Sequence, residues 1–361
     1  MYQKIFNKNI NKIEALSTPL AMREAFPLKD ATAELVVKAR DEVRDIIWGK
    51  DKRLLAIVGP CSIHNTDQAL DYAKRLVKLR EEVKDTINVV MRVYFEKPRT
   101  ILGWKGLIYD PHLDDSFDML TGLQKARKIL MEINDMGLPC ATEMLDPLVP
   151  QYIADLVSWT AIGARTTESQ THRQMASGLS MPVGFKNGTT GDFTVAINAA
   201  KAARGQQSFL GINQEEGRIA IFHTNGNPDT HLILRGGNDE PNYSASHVAM
   251  AEVALEKAGM EKSIMIDCNH ANSGKDPYKQ PEVLEDIVQQ KLDGNQSIIG
   301  FMVESHIHGG AQKIPKDLSE LKYGISVTDA CIDWEGTEAM FKDAAASLRG
   351  ALATKQSSLN G

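Results

Sequence analysis

Short apolar runs rich in Val, Ile and Met recur along the chain, each followed by a polar or glycine-bearing turn and then a segment with helical spacing. They lie at 53–59 (RLLAIVG), 88–95 (NVVMRVYF), 139–145 (PCATEML), 158–164 (SWTAIGA), 182–187 (PVGFKN), 231–236 (HLILRG), 263–268 (SIMIDC) and 298–304 (IIGFMVE). Runs of this kind read as strand candidates. Between them apolar residues return every three or four positions. Examples are Leu70, Ala73, Leu76, Val77, Leu79 and Val83 in 68–83, and Val248, Ala251, Val253 and Leu255 in 245–258. Eight strands alternating with helices predict βα units on a parallel sheet. Eight is also the number that closes a (β/α)8 TIM barrel of about 250 residues. A doubly wound open sheet is the rival, because periodicity alone does not close a barrel.

Two stretches exceed the minimal barrel. Residues 1–48 precede the first strand and carry a helical pattern at 31–47 (Leu35, Val36, Ala39, Val43, Ile46, Ile47). Residues 207–230 interrupt the fifth and sixth units with FLGIN (209–213) and RIAIFHT (218–224), separated by Gln-Glu-Glu-Gly. That pattern predicts an inserted β-hairpin. The chain thus divides into a 1–48 extension, a 49–350 barrel that includes the hairpin, and a 351–361 tail expected to fray.

Composition narrows the function classes. At 361 residues and 42% hydrophobic, with 24% charged residues, the chain is too apolar to be disordered. Its 41 basic and 47 acidic side chains give a net charge of −6, so no overall field favours nucleic acid. Cys61, Cys140, Cys268 and Cys331 stand far apart with no CxxC pair, which argues against a disulfide scaffold and fits a reducing cytoplasm. No window approaches the roughly 18–20 apolar residues of a membrane span. The expectation is a soluble cytoplasmic protein with neither nucleic acid nor membrane as partner.

Barrel enzymes carry their chemistry at the carboxyl ends of the strands, and those ends here are rich in functional groups. Arg92, Lys97, Arg99, Arg165, Lys186 and Arg235 are cations at or just after apolar strands. Each alone could be a structural ion pair. Six at one mouth would repel unless anions fill the site, and Arg suits bidentate phosphate or carboxylate. A second group is Cys61, His270, Glu304 and Asp329. Thiol, imidazole and carboxylates together suit Mn2+, Fe2+, Co2+ or Zn2+. The duller readings are a packed cysteine, a turn histidine, and carboxylates used as caps or ion-pair partners. His64, His172, His306 and His308 read as supporting or surface residues. Gly236-Gly237 and Asn187-Gly188-Thr189 could cradle phosphate through backbone amides, and no GxGxxG, Walker A or GxSxG motif is present.

The motifs GPCSIH (59–64), RVYFEKPRT (92–100), GWKGLIYDP (103–111), IGARTTESQ (162–170), PVGFKNGT (182–189), ILRGG (233–237), EPNYS (240–244), DCNHANSGK (267–275), MVESH (302–306) and SVTDACI (326–332) closely resemble the type I 3-deoxy-D-arabino-heptulosonate 7-phosphate (DAHP) synthases. The likeness runs from about residue 25 to 348. It implies a (β/α)8 barrel that condenses phosphoenolpyruvate with erythrose 4-phosphate and releases phosphate. It also implies one divalent metal per subunit, a homodimer or homotetramer, and feedback inhibition by an aromatic amino acid.

Carried onto this chain, the resemblance places the metal on Cys61, His270, Glu304 and Asp329. Phosphoenolpyruvate falls on Arg92, Lys97, Arg165, Lys186 and Arg235 with Glu143 near, and erythrose 4-phosphate on Lys97, Pro98, Arg99 and Thr100. Lys97 becomes the proton donor, and Glu143 or His270 steers water. The two extra segments become a regulatory and oligomerisation device. Its effector pocket is expected from Pro147, Pro150, Gln151, Leu179, Ser180, Phe209, Gly211 and Ile221, closed by Asn7 and Asn9 of a neighbouring subunit. Gly at 211, where phenylalanine-sensing members tend to carry Ser, leaves room for a phenol hydroxyl and points to tyrosine. The rival functions are another phosphoenolpyruvate–aldose synthase, or a catalytically inactive sensor of amino acids.

Overall fold

All eight apolar runs become parallel strands, and they close. The computed structural model describes the backbone of residues 5–238 and 240–359, and the side chains as far as Gly350. The barrel strands are β1 (Leu54–Gly59), β2 (Ile87–Arg92), β3 (Cys140–Glu143), β4 (Trp159–Ile162), β5 (Val183–Lys186), β8 (Thr230–Leu234), β9 (Ile264–Asp267) and β10 (Ile298–Glu304). They follow one another around the barrel in chain order, and β10 pairs back onto β1, with Gly59 opposite Glu304. The open-sheet alternative is thereby excluded. Between β5 and β8 the antiparallel pair β6 (Ser208–Ile212) and β7 (Ile219–His223) forms the predicted hairpin.

The strands read as unbroken apolar runs because both faces are covered. Alternate residues, such as Leu55 and Ile57, point into the barrel with Val90, Ala141, Trp159, Ile233 and Met265. Their neighbours Leu54, Ala56 and Val58 meet the surrounding helices. Those helices include α3 (Thr66–Val83), α4 (Met119–Asp135), α6 (Gln170–Ser177), α7 (Thr194–Arg204), α8 (Ala245–Lys257) and α9 (Gln280–Leu292), with the short α5 (Pro150–Ile153) after β3. No helix among the described residues is long and apolar enough to cross a membrane.

The region before β1 is partly scaffold. Helix α1 (Pro19–Ala25) precedes α2 (Asp30–Ile47), which matches the predicted 31–47 pattern. Val43, Ile46 and Ile47 of α2 belong to the cluster that fills the barrel, so this helix stoppers its amino-terminal end. Burying side chains of this size contributes roughly 1.5–3 kcal/mol each. Trp48 Nε1 and Arg44 Nε donate to Asp229 at 2.9 and 2.8 Å, pinning the helix end just ahead of β8. At the other terminus α10 (Trp334–Leu359) continues into the tail; residues 360 and 361 lie outside the described residues.

Candidate active site

The stoppered amino-terminal end leaves the carboxyl ends of the strands as the open mouth. A cavity of about 220 Å³ lies there, walled by Arg92, Lys97, Pro98, Arg99, Glu143, Arg165, Lys186, Arg235, His270 and Asp329 among others. Chain segments from seven of the eight βα units converge on it.

Local chemistry fixes each strand end. Gly59 has no side chain because a Cβ there would stand 2.6 Å from the Arg92 carbonyl oxygen, so β1 and β2 can close up. The Arg92 guanidinium then donates to the carbonyls of Pro60 and Cys61, both at 3.1 Å, and lies 3.5 Å above the Tyr94 ring. Gln280 clamps Glu304 by accepting its N–H and donating to its C=O, both at 2.9 Å. Asn187 accepts the Arg235 N–H at 2.8 Å, tying the ends of β5 and β8 together.

Next to Lys97 and Asp329 of this wall stand the Cys61 thiol and the Glu304 carboxylate. Ligand atoms of Cys61, Glu304 and Asp329 lie within 4.8 Å of one another. The Cys61 thiol donates to Asp329 Oδ2 at 3.4 Å and accepts from Lys97 Nζ at 3.1 Å. Burial, then the charge of Glu304, pushes this thiol up to about 12. Burial alone would discharge Lys97, but Cys61, Glu304 and Asp329 hold its ammonium above the ordinary lysine range. Glu304 Oε1 is buried with no hydrogen-bond partner, although Arg92 Nη2 stands 2.9 Å away. A buried carboxylate oxygen left open beside a thiol and a second carboxylate suits a divalent transition metal, so these residues fit the ion predicted from sequence. His270 stands outside this tight trio, with Nε2 at 3.9 Å from Glu304 Oε1.

The cations divide into two kinds. Arg92 pairs with Glu304, and Lys186 Nζ donates to Asp267 Oδ2 at 2.7 Å, so the ion-pair reading holds for both. Among the described residues no carboxylate comes within salt-bridge distance of Arg165 or Arg235, and burial lowers Arg235 below the usual arginine value. These two guanidiniums keep the anion demand that the sequence implied.

Glu143 closes the opposite wall. Its Oε1 is buried and unpartnered, and it fits only because residue 163 is Gly; a Cβ there would meet Oε1. Thr100 departs from expectation. It is exposed and absent from the cavity wall, because the chain turns outward after Arg99. His64 and His306 are buried with ring centroids 6.3 Å apart, His172 bonds Ser169 and Leu145, and His308 is exposed, so none enters the site.

Sequence reasoning gave no role to Asp267, Asn269, Lys275 or Glu96. Asp267 is fully buried, and although burial opposes ionisation, Lys186 and His270 hold its carboxyl well below the usual range. Asn269 donates to Glu304 Oε2 at 2.5 Å, and Lys275 lines the cavity. Glu96 accepts the N–H groups of Leu145 and Asp146, fastening the segment after β2 to the segment after β3. Asp267, Asn269 and Lys275 stand inside the DCNHANSGK motif and Glu96 inside RVYFEKPRT, so the motifs held a signal for all four.

A second cavity of about 880 Å³ lies between the hairpin, α1 and α5, and is walled by Pro147, Pro150, Gln151, Leu179, Phe209 and Ile221. Ser180 lines a smaller neighbour of about 270 Å³ that shares Pro150, Gln151 and Leu179. Gly211 falls elsewhere, while Asn7 was expected from a neighbouring subunit. Gly211 sits one layer behind the wall, where a Cβ would stand 3.2 Å from the Phe222 ring, and Phe222 does line the cavity. Asn7 is exposed and lines neither cavity of its own chain.

Comparison with known proteins agrees with this geometry. The family model described as "DAHP synthetase I family" matches residues 27–342. A relative named "Phospho-2-dehydro-3-deoxyheptonate aldolase, Tyr-sensitive", from Escherichia coli, is 55% identical over 349 residues, covering 97% of this chain and 98% of its own. The Phe-sensitive protein of the same name and organism is 53% identical over 340 residues, covering 94% and 96%. The solved structure of the phospho-2-dehydro-3-deoxyheptonate aldolase from Francisella tularensis superposes with a TM-score of 0.92 at 46% identity, covering 94% of this chain and 99% of that one. With a closed eight-stranded barrel, a family model that matches residues 27–342 and relatives similar along most of its length, the chain belongs to the DAHP synthetase I family.

Proposed function

We infer that the chain condenses phosphoenolpyruvate with D-erythrose 4-phosphate and water to give 3-deoxy-D-arabino-heptulosonate 7-phosphate and phosphate, the first step of the shikimate pathway. The observation that carries this reading is a cavity walled by Arg165 and Arg235, which have no carboxylate partner among the described residues, and by Asp329, whose carboxylate clusters with Cys61 and Glu304. Arg165, Arg235, Lys186 and Arg92 hold the phosphate and carboxylate of phosphoenolpyruvate. Pro98 and Arg99 face the erythrose phosphate, and Thr100 reaches it only if the exposed loop folds inward.

Cys61, Glu304, Asp329 and His270 would hold one divalent ion of the Mn2+, Fe2+, Co2+ or Zn2+ kind, which supplies Lewis-acid polarisation of the aldehyde. The enol carbon of phosphoenolpyruvate attacks that aldehyde, and Lys97 delivers a proton to the aldehyde oxygen as the new bond forms. Positive charge grows at C2 of phosphoenolpyruvate, and water adds there. Glu143, with its open carboxylate oxygen on that wall, orients the water, and breaking of the C–O bond releases phosphate. Positioning and fixed charge supply most of the acceleration.

The larger cavity takes an aromatic amino acid, with tyrosine the preferred inhibitor on the strength of Gly211 behind Phe222. Ile5, Phe6, Ile10 and Ile13 are exposed large apolar residues, which suits a homodimer or homotetramer in which this strip covers a second copy. Four free, buried cysteines suit the cytoplasm. The test of substrate is phosphate release from phosphoenolpyruvate with erythrose 4-phosphate against arabinose 5-phosphate. Only the first should react, and a preference for the second would place the chain among the eight-carbon sugar acid synthases.

A further inference from the structure

Asp267 ends β9 fully buried, next to Lys186 and His270 of the cavity wall, with three nitrogens around one carboxylate. Its Oδ2 lies 2.7 Å from Lys186 Nζ and 2.9 Å from His270 Nδ1, and its Oδ1 accepts the Asn269 N–H at 3.0 Å. The Nδ1 contact is close but does not form an aligned N–H···O bond. A carboxylate beside Nδ1 favours the tautomer with its proton there, which leaves the Nε2 lone pair free on the side of Glu304. His270 sits at a positive φ of 57°, a backbone geometry that a non-glycine residue holds only when its surroundings enforce it.

We propose that Asp267 is a positioning residue that couples the divalent-ion site to the phosphoenolpyruvate site by sharing one carboxylate oxygen between His270 and Lys186. This rests on the reading of the two sites given above. Engagement of Nε2 by a cation makes Nδ1–H a stronger donor and draws Oδ2 toward the ring. Lys186 is thereby released toward an anion in the cavity. The coupling is therefore positive, and by linkage each ligand tightens the other by the same factor.

The test uses the full chain stripped of metal, with phosphoenolpyruvate binding followed by calorimetry with and without Mn2+. Mn2+ binding is followed separately by equilibrium dialysis. In the unaltered protein Mn2+ should tighten phosphoenolpyruvate by about 5-fold or more, and the reverse titration should give the same factor. In Asp267→Asn the Mn2+ dissociation constant should rise about 10- to 100-fold, and the coupling factor should fall to about one, the value for uncoupled sites. Asp267→Glu keeps the charge but displaces the shared oxygen; it should lower the factor too, and serves if the Asn variant does not fold. Equal phosphoenolpyruvate affinity with and without Mn2+ in the unaltered protein overturns the coupling. So does a factor unchanged in either folded variant. Failure of phosphoenolpyruvate to bind under any condition would instead overturn the assignment of the site itself, which keeps the two failures apart.

Discussion

Single atoms decide how this cavity works. Glu143 keeps an open carboxylate oxygen only because Gly163 has no Cβ, and a methyl group there would meet Oε1. The obstructed atom is the far end of a flexible side chain, so Gly163→Ala should fold normally while its carboxylate is pushed aside. If Glu143 orients the attacking water, kcat should fall about 100-fold or more. Phosphoenolpyruvate affinity should change little, because the cations are untouched. A folded Gly163→Ala protein with ordinary kcat would remove Glu143 from the reaction. At this scale the sequence was only half legible. Cys61 and Glu304 stood out because a thiol and a carboxylate at strand ends are chemically conspicuous. Asp267 stood equally at a strand end, but nothing in its neighbours along the chain reveals that Lys186, 81 positions away, is its partner.

At the level of elements, the eight barrel strands were legible because burial on both faces leaves a continuous apolar signature. The hairpin was legible for the opposite reason, since β6 and β7 alternate between more and less exposed residues. What spacing could not show was where the hairpin leans. It packs against α6 and is tied to α1, with the Leu20 N–H donating to the Gln214 carbonyl at 2.9 Å and Arg23 to its side chain at 2.8 Å. Gly211 therefore acts on the larger cavity through Phe222 and not by direct contact. Gly211→Ser would press its Cβ and hydroxyl on that ring, and at 3.2 Å the ring must give way. We expect the variant to lose inhibition by tyrosine while turnover without effector is kept, because the hairpin lies outside the barrel. Titrating tyrosine, phenylalanine and tryptophan into the synthase assay checks this. Preference for phenylalanine in the unaltered protein would contradict the tyrosine reading, and indifference to all three would contradict the pocket.

The whole molecule carries an acid sensitivity set by buried histidines. Burial pushes His64 and His231 down to about 4 and His306 down to about 3. Unfolded histidines titrate near pH 6.5, so below that value the unfolded chain takes up protons the folded chain refuses. Stability present above pH 6.5 is therefore lost as pH falls toward 4. At pH 5 each histidine costs about 2 kcal/mol, at about 1.4 kcal/mol per pH unit. Glu96 works the other way. Burial raises it to about 8, so the folded chain holds a proton there that the unfolded chain gives up above about pH 4.5. Three groups outweigh one, and Tm should drop between pH 7 and pH 5; a flat or rising Tm would contradict this balance. The central claim is that the cation ring and the thiol–carboxylate corner form one metal-dependent site for the condensation. The most direct measurement is phosphate release from phosphoenolpyruvate and erythrose 4-phosphate by chelator-treated protein, before and after addition of Mn2+ or Co2+. The account predicts no release before addition, and after it one phosphate for each sugar phosphate formed. Equal release in the stripped protein, or none in the reloaded one, would contradict it.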